Sequence, residues 1–317
     1  TGLILMGQLL MGRFVSINDA SAALECGMHR QLGRRKKVLK QRIATAIVIA
    51  AVFLLALFAL NPYLFSLAMA VVVIYAAWEW SDLSSISGIP LRLVYTAALA
   101  VLLVVAAYVL GLSAEGSIEL DPGRSLLMTM VPWWAIALLW VQGYPSSAIL
   151  WGSGWVRGVM GFFVLVPTWS ALVILVHSAQ GEWVILLVVM VVALADIGAY
   201  FSGRHFGKHK LASSVSPKKT WEGLLGGIVV NVVVVILLGA MLKLDSRTWV
   251  LLAVMTMITV LASVLGDLLE SMVKRHRGIK DSGSILPGHG GVLDRVDSLT
   301  AALPVFTLMF IYSGIQF

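Results

Sequence analysis

The chain has 317 residues, 59% of them hydrophobic and only 12% charged, with a formal net charge of +7. Soluble domains carry about 25% charged residues, so this composition excludes an ordinary water-soluble fold. One cysteine, Cys26, excludes an internal disulfide and a cysteine-based zinc site, and the basic surplus points to loops on one membrane face, not to nucleic acid.

Residues 1–37 end in "RQLGRRKK" and are expected to form an irregular N-terminal extension. From residue 43 onward, apolar runs of roughly 17–25 residues recur, each long enough to cross a hydrocarbon core of about 30 Å. Continuous Val, Leu, Ile and Ala runs read as helices, because a membrane β-barrel would show short alternating segments. Nine spans are expected, at about 43–60, 62–78, 92–112, 126–142, 156–177, 183–203, 221–242, 249–268 and 299–317. Asn61-Pro62 divides the first long run into a hairpin, since proline ends the preceding helix. The fold expected is an all-α polytopic membrane bundle.

Basic residues orient the bundle. Arg34, Arg35, Lys36, Lys37, Lys40 and Arg42 precede the first span, and the loop at 204–220 holds five more Lys/Arg and no acid. The loop at 269–298 is the third basic segment. With nine spans and a cytoplasmic N-terminus, all three lie on the cytoplasmic side, as the positive-inside rule requires.

Polar groups that hydropathy does not explain come next, in chain order. "WEW" (78–80) with Asp82 puts acids at a cytoplasmic helix end. Asp196, in "ALADIGAYFSGR", lies roughly 10 Å below the end of its helix, where a carboxylate is either functional or ion-paired. "SPKKTWEG" (216–223) offers Ser216 or Thr220 as a helix cap, and Lys218 and Lys219 either to a phosphate or to an ordinary positive-inside loop. In "LGDLLESMVKR", Asp267, Glu270, Ser271 and Lys274 share one helical face. Two acids there are either a solvated helix end or half of a divalent-cation site.

The densest feature is "KRHRGIKDSGSILPGHGGVLDRVDS", residues 274–298, which holds five Lys/Arg, three Asp, two His and five Gly. Asp294 and Asp297 stand one helical turn apart at the start of the last span. The glycine turn before them (287–291) leads into that helix, an arrangement whose amides suit phosphate. Phosphate bridged to carboxylates by a divalent cation, with Lys and Arg on the remaining oxygens, uses every residue type present.

Ser271 to Asp297 resembles the signature of the phosphatidate cytidylyltransferases, the CDP-diacylglycerol synthases. Ser271, Lys274, Arg275, Lys280, Asp281, Gly283, Leu286, Pro287, His289, Gly290, Gly291, Val292, Asp294, Arg295, Val296 and Asp297 all match in register. The similarity extends to "WEW", "DIGAYFSGRHFGK" and "SPKKTWEG", so it covers nearly everything after residue 38; nothing of the family maps onto residues 1–37. The resemblance implies a membrane-embedded domain at 38–317, with the catalytic half at about 183–317, that makes CDP-diacylglycerol and pyrophosphate from CTP and phosphatidic acid. It also implies dependence on Mg²⁺, with room for a second cation, a homodimer, and a bacterial inner-membrane enzyme whose site faces the cytoplasm.

On that reading Asp297, Asp294 and Asp267 hold the cation, supported by Glu270 and Asp196. Lys274, Arg275, Lys280 and Arg295 hold phosphates, Lys218 and Lys219 close from the other loop, and Ser271, Gly290 and Gly291 line the phosphate site. His289 either donates to a phosphate or stabilises the turn, and Asp281 is either a ligand or an orienter of Lys280. The nearest rival is a CTP-dependent polyprenol or phytol kinase, which would pass on the γ-phosphate and not the cytidylyl group.

Overall fold

The computed structural model describes residues 41, 43–114, 118–286, 288 and 290–314. The expected extension at 1–37 and His289 lie outside them. Two units separate by their contacts: Thr1–Val52 with Pro287–His289, which includes the start of the first helix, and Phe53–Leu286 with Gly290–Phe317. The site residues described below belong to the second.

The first helix, α1, is Ile43–Ala59. Asn61 caps the next one by accepting from Leu64 N at 2.8 Å, with Pro62 at its start, so the expected break is present. Then follow α2 (Pro62–Leu83), α3 (Ile89–Val109), α4 (Leu120–Met128), α5 (Met130–Gly143), the short α6 (Ala148–Trp151) and α7 (Gly154–Val176). The expected span at 126–142 lies within one membrane-length segment, Leu120–Gly143, made of α4 and α5 with a turn at Thr129 between them. Pro132 has no N–H to give to the carbonyl four residues back, so the chain breaks at Thr129.

The remaining elements are α8 (Gly181–Phe206), a hairpin of β1 (Lys210–Ala212) and β2 (Ser216–Thr220), α9 (Trp221–Met241), α10 (Ser246–Arg277) and α11 (Leu293–Ser313). Among the described residues, eight helical segments are long and apolar enough to cross a membrane, and α1 is a shorter apolar helix. The chain is a polytopic helical membrane protein. Its large apolar residues point outward as well as inward: Leu225, Val229, Val233 and Leu237 of α9 are all exposed. In lipid that face has an apolar solvent and needs no cover.

Two boundaries differ from hydropathy. The 32 residues of α10 would span about 48 Å, well beyond a ~30 Å core. Leu268, Leu269, Met272 and Val273 are buried against the rest of the protein and keep the helix going past the apolar run. The last helix begins at Leu293, not 299, and so takes in Asp294, Arg295 and Asp297. Asp294 has its partner there, Lys274 of α10, which hydropathy cannot see.

Trp80 Nε1 donates to Arg157 O at 2.8 Å, and the buried Arg157 side chain donates to Leu83 O and to Ser85 Oγ. A guanidinium on the last carbonyls of α2 also opposes that helix's negative end. The end of α2 is thereby fixed against α7.

Candidate active site

The site starts from a close helix crossing. A Cβ at Gly266 would lie 2.5 Å from the carbonyl oxygen of Asp297, so only glycine lets the first turns of α11 rest on α10. That approach sets Asp297 beside the acids of α10. Asp267 accepts from Ser271 Oγ at 3.0 Å and pairs with Lys219 Nζ at 2.6 Å. Lys219 reaches it from β2, the strand that precedes the Thr220 cap of α9. The buried Lys274 bridges Glu270 (3.0 Å) and Asp294 (2.7 Å). Asp297 accepts from Ser298 N and lies in the electrostatic field of Asp267, Lys274 and Lys219.

The loop between α10 and α11 is held by two carboxylates. Asp294 Oδ2 accepts from Ser282 N at 2.9 Å and Gly291 N at 2.8 Å, and Leu286 N donates to Gly290 O. From α2, Glu79 accepts from Ser282 Oγ at 3.0 Å, Val292 N at 3.0 Å and Leu293 N at 2.8 Å. A Cβ at Gly283 or Gly291 would overlap the Glu79 carboxylate, so the glycines there are the space it fills.

The expected residues thus divide into two sets. Asp267, Glu270, Ser271, Lys274, Asp294, Asp297 and Lys219 come together. Asp196 opens beside them onto a cavity of 190 Å³ between α8 and α9, which Lys218 and Lys219 also line. Lys218, Arg275, Lys280, Asp281 and Arg295 are exposed around this end. The Arg275 side chain donates to Ile279 O at 3.4 Å.

One expectation is corrected by the loop. The amides of Gly291, Val292 and Leu293 do not stand open to a phosphate, because Asp294 and Glu79 already accept from them. Asp294 likewise has both oxygens engaged, one by Lys274 and one by the loop. Glu79 was missed as a member of the site. Its only sign in the sequence is an acid in "WEW" near a helix end, and its partners lie more than 200 positions away.

Among the described residues, no three His, Cys, Asp or Glu already form a metal-ligand group, and Lys219 and Lys274 pair with Asp267, Glu270 and Asp294. The donor set still suits a hard cation. Among the described residues Glu270 Oε2 is buried without a hydrogen-bond partner, and the neighbouring groups are carboxylate oxygens, which Mg²⁺ prefers.

The sequence is similar to known proteins over most of its length. A model of the cytidylyltransferase family matches residues 40–313. The phosphatidate cytidylyltransferase of Pseudomonas aeruginosa is 42% identical over 277 residues, covering 87% of this chain and 98% of that protein. That of Haemophilus influenzae is 40% identical over 292 residues, covering 87% and 99%. A Staphylococcus aureus protein of the same name is 45% identical over 135 residues, 43% of this chain.

Proposed function

We propose, for a chain that belongs to the cytidylyltransferase family and is a phosphatidate cytidylyltransferase in its activity, that the reaction takes place where α10, α11 and the β-hairpin meet. An oxygen of the lipid phosphate attacks the α-phosphorus of CTP, and the bond from that phosphorus to the oxygen bridging to the β-phosphate breaks. Pyrophosphate leaves and CDP-diacylglycerol remains. A phosphate monoester is already anionic near neutral pH, so the protein's task is alignment and charge neutralisation rather than proton removal.

Asp267, Glu270 and Asp297 would hold Mg²⁺, with Asp196 at the edge of the set. When bound, the ion neutralises phosphate oxygens and the developing charge on the leaving group. Asp294 aligns Lys274 and the loop instead of serving as a ligand, because both its oxygens are engaged. Lys219 and Lys274 supply ammonium groups to the phosphates from fixed positions. Lys218, Arg275, Lys280 and Arg295 form an exposed basic rim that draws in the triphosphate.

The observation that carries this reading is the buried oxygen of Glu270, without a hydrogen-bond partner among the described residues, beside three further acids and two lysines. The basic loops support a site on the cytoplasmic face of a bacterial inner membrane, and the family resemblance supports a homodimer, to be checked by cross-linking in the membrane. The central test uses purified protein depleted of divalent ions. Mg²⁺ should restore CDP-diacylglycerol formation to the wild type and not to Asp297→Asn, whose turnover should fall about 10³-fold or more. Retained turnover in a folded Asp297→Asn protein would remove that residue from the cation site.

A further inference from the structure

Glu79 belongs to α2, outside the helices that carry the proposed active site. It is 2% exposed, and its bonded partners among the described residues are all neutral donors. Isolated, a buried carboxylate is costly. Here its charge faces the first amides of α11, where a helix N-terminus offers unpaired N–H groups and the positive end of its dipole. The carboxylate takes the place that an anion would occupy at such a terminus.

We infer that Glu79 is a positioning residue for cytidylyl transfer: it clamps the loop before α11 and sets the first turn that presents Asp294 and Asp297. Its two oxygens divide the work. One accepts from Val292 N, and the other from Leu293 N and Ser282 Oγ, so the carboxylate ties both ends of the loop to α2. Gly283 and Gly291 flank it where no side chain would fit. The anchor itself does not move freely. Trp80 is bonded to α7, and Arg277 of α10 donates to Asp82 O at 3.1 Å. The N-terminal helices therefore supply the fixed frame against which the reacting end is aligned. The inference rests on the placement of Asp297 in the reacting centre.

Charge and shape can be separated at this position. Glu79→Gln keeps the volume but carries one acceptor oxygen and an amide group, so at least one buried N–H faces another donor. Glu79→Asp keeps the charge at the helix terminus and loses a methylene. If Glu79 positions the loop, Glu79→Gln lowers kcat and kcat/KM together by about 10–100-fold, with KM for CTP nearly unchanged. Glu79→Asp then retains several-fold more turnover than Glu79→Gln. If Glu79 only fills space, the order reverses, and that result overturns the inference. So does a folded Glu79→Gln protein with kcat within about twofold of wild type.

Should Glu79→Gln fail to fold, Ser282→Ala decides, because it removes one bond and leaves the carboxylate in place. A kcat lowered about two- to fivefold supports the clamp, and wild-type turnover sinks it. Asp297→Asn in the same assay separates the two levels of argument. If that variant is active, the site assignment has failed; if it is dead while Glu79→Gln is normal, only the clamp has.

Discussion

At the end of the bundle where α9 turns into α10, several polar side chains serve the helix that carries them. Asp245 accepts from Arg247 N, Thr248 N and Thr248 Oγ1, all within three residues. Asp121 pairs with Arg124 one turn on, and His177 Nδ1 lies 2.8 Å from Val173 O. At the other end local pairs such as Lys274–Glu270 are joined by partners distant in sequence. Glu79 bonds across 213 and 214 positions, Arg277 across 195, and Lys274 joins α10 to α11. Local bonds finish a helix. Bonds between helices fix several side chains relative to one another, which is what aligning two substrates requires.

This contrast can be broken by substitution. Lys274→Met should have the largest effect, since it leaves Glu270 and Asp294 buried without their shared cation; we expect a loss of about 3–5 kcal/mol in stability and no measurable turnover. A stable, active Lys274→Met protein would show that the buried pairings are incidental. Lys219→Gln should spare the fold, because its pair with Asp267 is partly exposed and worth under about 1 kcal/mol. Turnover should nonetheless drop about 10²-fold if the ammonium neutralises phosphate, which initial rates with labelled CTP would report.

Arg277→Ala loosens the tie between α10 and α2. We expect turnover about two- to fivefold lower with little change in melting temperature, and an unaltered rate would argue that this tie carries no alignment. Asp245→Ala, at the other end, should lower the melting temperature slightly and leave turnover unchanged. The Thr248 hydroxyl and the amides at 247 and 248 hold the Asp245 carboxyl below the usual carboxylate range. Its cap is therefore fully present above the unfolded value, near 3.9, and is lost as pH falls through the lower folded value. A turnover loss in Asp245→Ala would mean that the two ends are coupled after all.

Much of the framework was readable along the chain. The apolar segments, the break at Asn61-Pro62, the Thr220 cap and the shared face of Asp267, Glu270, Ser271 and Lys274 depend on residues within a few positions of each other. Other features were hidden because their causes are distant. The hairpin at 210–220 lies in a stretch that reads only as a basic loop. The spacing of Asp294 and Asp297 put them at the start of the last helix, but the pairing of Asp294 with Lys274, twenty positions away on α10, was not visible there.

The sequence by itself determined a helical membrane protein, its cytidylyltransferase signature and the acids and bases from which the site is made. The first and last of these are written in composition, periodicity and short spacings, and the signature in a motif that resembles a known family. The tertiary structure decided how those acids are used. Which oxygens hold the loop, which one is buried without a partner, and that Glu79 of α2 takes the amides before α11 depend on distances between helices. Those distances are set by packing, at Gly266, Gly283 and Gly291 most directly, and no local pattern in the chain encodes them.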